Sequence, residues 1–423
     1  MKYFLLLSLF LTLSSAFALT PEVKQLVRHE TKSNGVSVRA EVKIALRHFE
    51  IPVDEVALDI SERLPPEVRE SLLFTKNGRQ YLRWLINPED RKWYREVKAY
   101  LKKKNLDNKE YKYFDGYQTA SRSYIVEDPK SHAEFSLKVS TDTTGGHWKD
   151  KKQTAQDAID VRRSTDFVVD LGRKEPFRNF VLLDEPAAFT LPSIDQGVIV
   201  RTLYDLPDSQ KYYLPGFSAV HTQAGEEIAK LNGATNVAAF WEEHYVKPLA
   251  RSLAELAARA GIAYDSPHSQ NFLVELDADF RPTGKIVLRD LGDIFLTPEL
   301  TVAAGGERVV KRWPEKNITR RRISAGVGIL HGNVFPSWLD EAGYDKWGKT
   351  FFQEYEKELT RITGVSSFFG EYKKNLRYFS KAYYVDGSEW QKYITRVKAA
   401  RVNERWLIPT GVDCANAFSL MKD

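Results

Sequence analysis

The chain has a single cysteine, Cys414, and only two methionines in 423 residues. One cysteine forms no internal disulfide and rules out zinc sites of the multi-cysteine kind. Stability must therefore come from burial. Cys414 has no local signature of a nucleophile and is expected to be a buried or semi-buried thiol. The eight histidines are scattered. None stands at the His-x-x-x-His spacing that places two ligands on one helix face, so His147, His221, His244 and His331 read as ordinary surface or core residues. The sequence contains no Gly-x-Ser-x-Gly elbow, no Walker loop and no dinucleotide fingerprint. It also has no internal repeat and no low-complexity tract. The formal net charge of +5 is small for this length. Clusters such as Lys102-Lys103-Lys104 and Arg320-Arg321-Arg322 are solvated faces, because a diffuse charge does not make the basic stripe of a nucleic-acid binder.

One apolar run stands out. Lys2 is followed by Phe4 to Leu13, then by Ser14, Ser15 and Ala16-Phe17-Ala18. That is the charged, apolar and small-residue layout of a secretory signal peptide. At this length it is too short for a spanning helix, which needs about 20 apolar residues. No later stretch is long enough to cross a bilayer. The chain is thus expected to be exported, to the periplasm or beyond, and to have no membrane span once residues 1–18 are removed. Aromatic residues make up 12% of the chain, enough for a large core.

The remaining pattern predicts an α+β fold: a helical region at 19–105, a core at 106–312 built on a central antiparallel sheet with helices, and a helical region at 313–423. Glu67–Lys76 and Glu89–Leu101 carry helical spacing after Pro66 and Pro88. Asn77-Gly78 should end the first of these helices, and polar Leu106–Gly116 should form a turn-rich boundary. Strands are expected at Ser123–Val126, Phe135–Val139, Asp166–Leu171, Asn179–Asp184 and Gly197–Leu203. Val237–Ala260 should be one long helix with Leu249, Leu253, Leu256 and Ala260 as its stripe. Pro248 should kink or restart it, and Gly261 should cap it. Asn271–Leu276 and Lys285–Leu291 flank the turn-rich segment 277–284 and form a hairpin. Trp347–Thr363 is the best helix of the C-terminal region.

The hairpin gathers polar residues at its open end. His268-Ser269-Gln270-Asn271 leads into its first strand, and Arg289-Asp290-Leu291-Gly292-Asp293 closes its second. Antiparallel pairing brings these two ends together. Asn271, Asp290 and Asp293 offer hard oxygen ligands that suit Mg2+ held together with phosphate oxygens. Protein kinases place an Asn and an Asp around ATP by the same logic. The plainer alternative is that Asn271 caps a turn and Asp290 pairs with a neighbouring cation.

The ordered set Phe240-Trp241-Glu242-Glu243-His244-Tyr245-Val246-Lys247-Pro248-Leu249, Gly261-Ile262-Ala263, His268-x-Gln270-Asn271 and Val287-Leu288-Arg289-Asp290 resembles the core of the NRPS-independent siderophore synthetases, the aerobactin-synthetase (IucA/IucC) family. A second stretch, Phe135 to Thr141, resembles the strand that opens that family's ATP site. Lys151 or Lys152 and Arg162 or Arg163 follow at roughly the spacing of its phosphate-binding Lys and Arg. Gly197–Leu203, with Arg201, resembles a further strand. The resemblance implies ATP and Mg2+ as cofactors, with Ser140, Thr141, Lys151, Lys152, Arg162, Arg163, Gln270 and Asn271 on the nucleotide. It also implies His268, Arg289 and Asp290 at the reacting groups, and Asn271, Asp290 and Asp293 on the metal. The activity implied is adenylation of a small carboxylate followed by transfer to an amine or alcohol. The chain departs from the family in length, in lacking its N-terminal His-Pro-x-His-type box, and in its export signal. Two other readings are compatible with the sequence. One is an exported non-catalytic protein that binds a ligand or a protein on this scaffold. The other is an exported nucleotidyl- or phosphotransferase.

Cleavage after Ala18 is the first testable expectation. Intact mass of the exported protein should correspond to a chain that starts at Leu19. A chain still carrying Met1 would contradict it.

Overall fold

The computed structural model describes residues 19–33, 42–143, 150–203, 206–265, 267–311, 313, 318, 322–331, 334–365, 368–374, 378–385 and 387–405. The expected signal peptide, Gly146, His147, Arg320, Arg321 and Cys414 lie outside the described residues. The fold is α+β, as the sequence pattern predicts. The polypeptide forms two compact units, one of residues up to Ala158 plus Glu185–Tyr213, the other of Ile159–Asp184 plus the residues from Leu214 onward. The expected boundaries near residues 106 and 313 fall inside the first and second unit respectively.

The first unit is built on a nine-stranded sheet. Its order is Ala57–Ile60, Ala187–Leu191, Gln196–Thr202, Glu134–Lys138, Ser123–Glu127, Tyr111–Gln118, Ile44–Pro52, Arg79–Ile86 and Leu73–Lys76. Every neighbouring pair is antiparallel. Alternation explains the core: Phe135 and Leu137, Tyr124 and Val126, and Val198 and Val200 all turn to one buried apolar cluster, as residues two apart on a strand must. Val68 and Leu72 of helix Pro66–Leu72 and Val97 and Leu101 of helix Trp93–Lys103 complete it.

Two sequence expectations change here. Residues 73–76, placed in a helix, form a strand paired with Arg79–Ile86. Asn77 and Gly78 have φ of 53° and 76°. They therefore form a two-residue hairpin turn of the kind that needs positive φ at both positions, not a helix stop. The polar segment Leu106–Gly116 runs into the strand Tyr111–Gln118, which pairs on both sides. Its alternating Tyr and Lys side chains hide a half-buried strand.

In the second unit, the hairpin Phe272–Leu276 and Pro282–Leu288 lies in a four-stranded sheet between Tyr212–Pro215 and Phe180–Leu182. The last of these strands runs parallel to Pro282–Leu288. A short pair, Ile262–Tyr264 with Ile294–Leu296, lies beyond the long helix. A third sheet orders Arg322–Val327, Phe379–Val385 and Phe368–Lys374. The expected strand at Asp166–Leu171 is helical, inside Ala155–Lys174. Ala158, Val161, Thr165 and Val168 are its buried residues at helical spacing, a period that a six-residue apolar run viewed alone conceals.

The long helix is helical throughout but not uniform. Val237–Trp241 passes through a wider π turn at Glu242–Val246 into Lys247–Ala260. Pro248 supplies no N–H to the preceding turn, and the π turn absorbs the missing bond. Gly261 has φ 67°, and a Cβ there would lie 2.5 Å from the Thr301 hydroxyl oxygen. Only glycine satisfies both conditions.

Arg201 and Glu185 form a buried pair in the first unit, with Nη2 to Oε1 at 2.6 Å and Nε to Oε1 at 3.2 Å. Removing one partner leaves a buried charge, which costs about 3–5 kcal/mol. Arg201→Met should lose that much in urea denaturation, and Arg201→Met with Glu185→Gln should recover part of it. A loss under about 1 kcal/mol would mean that solvent reaches the pair.

Candidate functional site

The open end of the hairpin is fixed by its register. Phe272 pairs with Leu288, so Asn271 stands opposite Arg289, and the Arg289 N–H donates to the Asn271 carbonyl at 3.2 Å. The Asn271 N–H donates to the His268 carbonyl at 3.0 Å, making His268–Asn271 a tight turn. The Arg289 guanidinium donates from Nε and Nη2 to the Gln270 carbonyl, at 3.1 and 2.6 Å. Asn271 and Arg289 are each 8% exposed. Arg289, expected at the reacting groups, thus holds the turn that presents His268, Gln270 and Asn271.

Asp290 comes two residues after the register ends. Its φ is +63°, which takes it out of the strand's alternation, so its direction is set by a left-handed turn and not by the pleat. Aspartate is among the few non-glycine residues that tolerate this conformation. Asp290 is half-buried and Asp293 is exposed. The turn is tied to its neighbour: the Tyr264 hydroxyl donates to the Arg289 carbonyl at 2.9 Å, and the Asp265 N–H donates to the Asp293 carbonyl at 2.9 Å.

Residues that sequence reasoning passed over hold the other side. Buried Tyr245, on the π turn, donates its hydroxyl to Ser269 at 2.6 Å, and Ser269 donates to the Gly328 carbonyl at 3.0 Å. Burial pushes the Tyr245 hydroxyl well above its ordinary range, so it remains a donor. Phe217 lies nearly parallel to the His268 ring, 6.0 Å between centroids at 19°. His221 accepts the His331 N–H on Nε2 at 2.8 Å. Burial, with His331 beside it, lowers His221 to about 4, which keeps it neutral at physiological pH. Ser269 is the variable position inside the His-x-Gln-Asn box, and Tyr245 lies within the apolar pattern of a long helix. Both signals were in the sequence but needed the fold to be joined.

A cavity of about 600 Å³ opens beside this end of the hairpin. Tyr264, Asp265 and Phe295 form one wall, and Ser324, Ala382 and Tyr384 of the third sheet form another. Tyr264 and Asp265 therefore belong both to the cavity wall and to the hydrogen bonds that hold Arg289–Asp293. Among the described residues no three His, Cys, Asp or Glu side chains converge as a metal site. An ion at the hairpin end would take few protein ligands.

The other candidates sit as follows. In the first unit Thr141 and Lys151 exchange backbone hydrogen bonds at 3.0 and 2.8 Å, so the two halves of the expected phosphate loop do meet. Ser140 is buried, donating to Gln196 at 3.0 Å and accepting the Gln153 N–H at 2.8 Å. The Lys152 ammonium is occupied by the Ile194 carbonyl at 2.8 Å and by Glu96 at 2.9 Å, and lies over the Trp93 ring. In the second unit Arg162 is buried on helix Ala155–Lys174 and pairs with Asp166, four residues on. Arg163 is half-buried on the same helix.

With this geometry described, the fold can be placed. It is that of the siderophore synthetases. The chain superposes on aerobactin synthetase IucC from a hypervirulent pathotype of Klebsiella pneumoniae with a TM-score of 0.50 at 12% identity, covering 86% of this chain and 63% of that one. It superposes on the petrobactin biosynthesis protein AsbB from Bacillus anthracis str. Sterne with a TM-score of 0.54 at 12% identity, covering 86% of this chain and 71% of that one. The chain thus spans less than two thirds of the length of the first of these proteins. The sequence matches no family model and no curated protein. The likeness is one of fold.

The left-handed turn at Asp290 makes a stability prediction. Asp290→Asn should leave the melting point of the free protein nearly unchanged, or raise it slightly through weaker repulsion of Asp293. Asp290→Ala should lose about 1 kcal/mol, the cost of a Cβ residue in this conformation without a side chain that hydrogen-bonds locally. Equal melting points for the two variants would mean that Asp290 does not hold that conformation in solution.

Proposed function

We propose that the chain is an ATP- and Mg2+-dependent ligase that adenylates a small carboxylate and passes the acyl group to an amine or alcohol. The observation that carries this reading is the end of the hairpin, where the Arg289 side chain holds the turn bearing His268, Gln270 and Asn271, and where Tyr264 and Asp265, bonded to the segment Arg289–Asp293, line a cavity of about 600 Å³. The siderophore-synthetase fold supports it. The donor set fits Mg2+: an amide oxygen from Asn271 and carboxylates from Asp290 and Asp293 are hard ligands, and Mg2+ ordinarily binds few protein groups plus phosphate oxygens and water. When bound, the ion would offset the charge of the triphosphate.

The chain's own residues would do the rest. Arg289 and Ser269 are engaged in holding the box, so they position it and do not meet substrate. His268, carried on that turn beside Phe217, would line the nucleotide. In the first half-reaction a carboxylate oxygen bonds to the α-phosphorus and pyrophosphate leaves. In the second an amine or hydroxyl bonds to the acyl carbon, AMP leaves and the nucleophile loses its proton. The cavity wall of Tyr264, Phe295 and Tyr384 suits an organic substrate with apolar surface.

One observation favours the rival, non-catalytic reading. The Lys152 ammonium already has Glu96 as its counter-ion, and Ser140 already has two partners, so neither is poised for a phosphate.

Thermal denaturation with ATP and Mg2+ separates the two. A ligand at about 100 times its dissociation constant adds about 2.7 kcal/mol. The wild type should show a shift of that order, and Asp290→Asn should abolish it, with a smaller loss for Asp293→Asn. No shift in the wild type would favour the non-catalytic reading. A full shift in Asp290→Asn would move the metal elsewhere.

A further inference from the structure

Two carboxylates face each other in the first unit. Glu127 and Glu134 are cross-strand partners in Ser123–Glu127 and Glu134–Lys138. Partners of this kind project to the same face, and like charges placed directly opposite destabilise a sheet. Glu127 is 1% exposed, and among the described residues its Oε2 has no hydrogen-bond partner. Burial pushes the Glu134 carboxyl above the usual carboxylate range, and Glu127 and Asp208 push it further. Among the described residues the cations nearby answer this charge only in part: Lys43 feels the Glu127 charge at longer range. His132 lies 3.8 Å from Glu127 but is charged only when protonated, and Lys43 is paired with Asp115 at 2.6 Å. Tyr117 on the adjacent strand is neutral, with burial raising it above its ordinary range.

What does reach Glu134 is the start of the described chain. The Thr20 N–H donates to Glu134 Oε1 at 2.6 Å, and the Thr20 hydroxyl donates to Oε2 at 2.7 Å. Leu19 is buried. Glu22, in the first turn of the helix that follows, accepts the Gln210 N–H at 3.0 Å and fixes the segment further. Thr20 is also the second residue after the Ala16-Phe17-Ala18 cleavage pattern. The α-nitrogen of Leu19 is therefore one residue from a nitrogen already on Glu134, and successive Cα atoms are only about 3.8 Å apart.

We propose that Glu134 and Glu127 bind the α-ammonium group that signal-peptide removal creates on Leu19. Before cleavage that nitrogen is a neutral peptide N–H. Hydrolysis of the Ala18–Leu19 bond adds one water: the carboxylate departs with Ala18, and the released amine takes up a proton at neutral pH. Maturation thus adds positive charge beside the two opposed carboxylates, where Glu127 Oε2 has no hydrogen-bond partner among the described residues, and it stabilises the first unit only once the leader is gone. This rests on the export reading and is independent of the ligase reading. The raised ammonium contributes stability that is present below about pH 8, the ordinary range of an α-amino group, and is lost as pH rises through its higher value in the fold.

The test uses the exported, processed protein, with its start verified by intact mass. The pH dependence of α-amine labelling at Leu19 is read by peptide mass spectrometry. The amine should hold its proton at least tenfold more tightly than an ordinary α-amino group. Glu134→Gln should abolish that gain, and Glu127→Gln should reduce it. As a second measurement, Glu134→Gln should lower the melting point of the processed chain more than that of a chain whose leader is retained by a blocked cleavage site. An amine that titrates in its ordinary range in the wild type, a mature chain that begins elsewhere than Leu19, or equal effects of Glu134→Gln with and without the leader would each overturn the proposal.

Discussion

The carbonyl of Gln270 is the hinge of the candidate site. A polar turn beside a cavity would ordinarily wander among conformations, yet this one receives two hydrogen bonds from a single buried guanidinium. Arg289 is locked in turn by the hairpin register, by its own N–H on Asn271 and by the Tyr264 hydroxyl on its carbonyl. Charge-assisted bonds of this kind are roughly twice as strong as neutral ones. They fix a backbone geometry that the sequence from His268 to Asn271 has little means to fix alone. Tyr245 and Ser269 grip the same turn from the side of the long helix. The outcome is a turn on which His268, Gln270 and Asn271 have defined positions.

Buried charge is handled differently in the two units. In the second, Arg289 donates to the Gln270 carbonyl and Arg162 pairs with Asp166. In the first, Arg201 meets Glu185 and Lys152 meets Glu96, whereas Glu127 and Glu134 stand opposite each other across two strands. Glu127 is buried and Glu134 half-buried, and opposed like charges of this kind persist only where something else compensates them. Beside them stands Thr20, whose N–H and hydroxyl both donate to Glu134.

Much of the fold was legible in the sequence because its signals were local. The hairpin followed from two apolar runs around a turn-rich segment, and Gly261 from a glycine at the end of a periodic stripe. What was missed depended on partners distant in sequence. The apolar run Asp166–Leu171 suits a strand or a helix equally, and only the longer stripe from Ala158 to Val168 decides for a helix. Asn77-Gly78 ends helices and closes hairpins, and the pairing of Leu73–Lys76 decides for the second. Among the candidate residues, the box and Asp290 stand out in the sequence by type and order. The engagement of Lys152 with Glu96 and of Arg289 with Gln270 does not, because a cation's partner is set by tertiary contact and not by spacing.

The central claim is that the hairpin end receives the metal–triphosphate group. A crystal structure with ATP and Mn2+, a heavier stand-in for Mg2+, tests it most directly, because the anomalous signal of Mn2+ locates the ion without reference to activity. The account predicts the ion on the side-chain oxygens of Asn271 and Asp290, at about 2.0–2.2 Å as hard divalent cations require, with phosphate oxygens completing its shell. An ion and nucleotide bound away from Asn271 and Asp290 would contradict it.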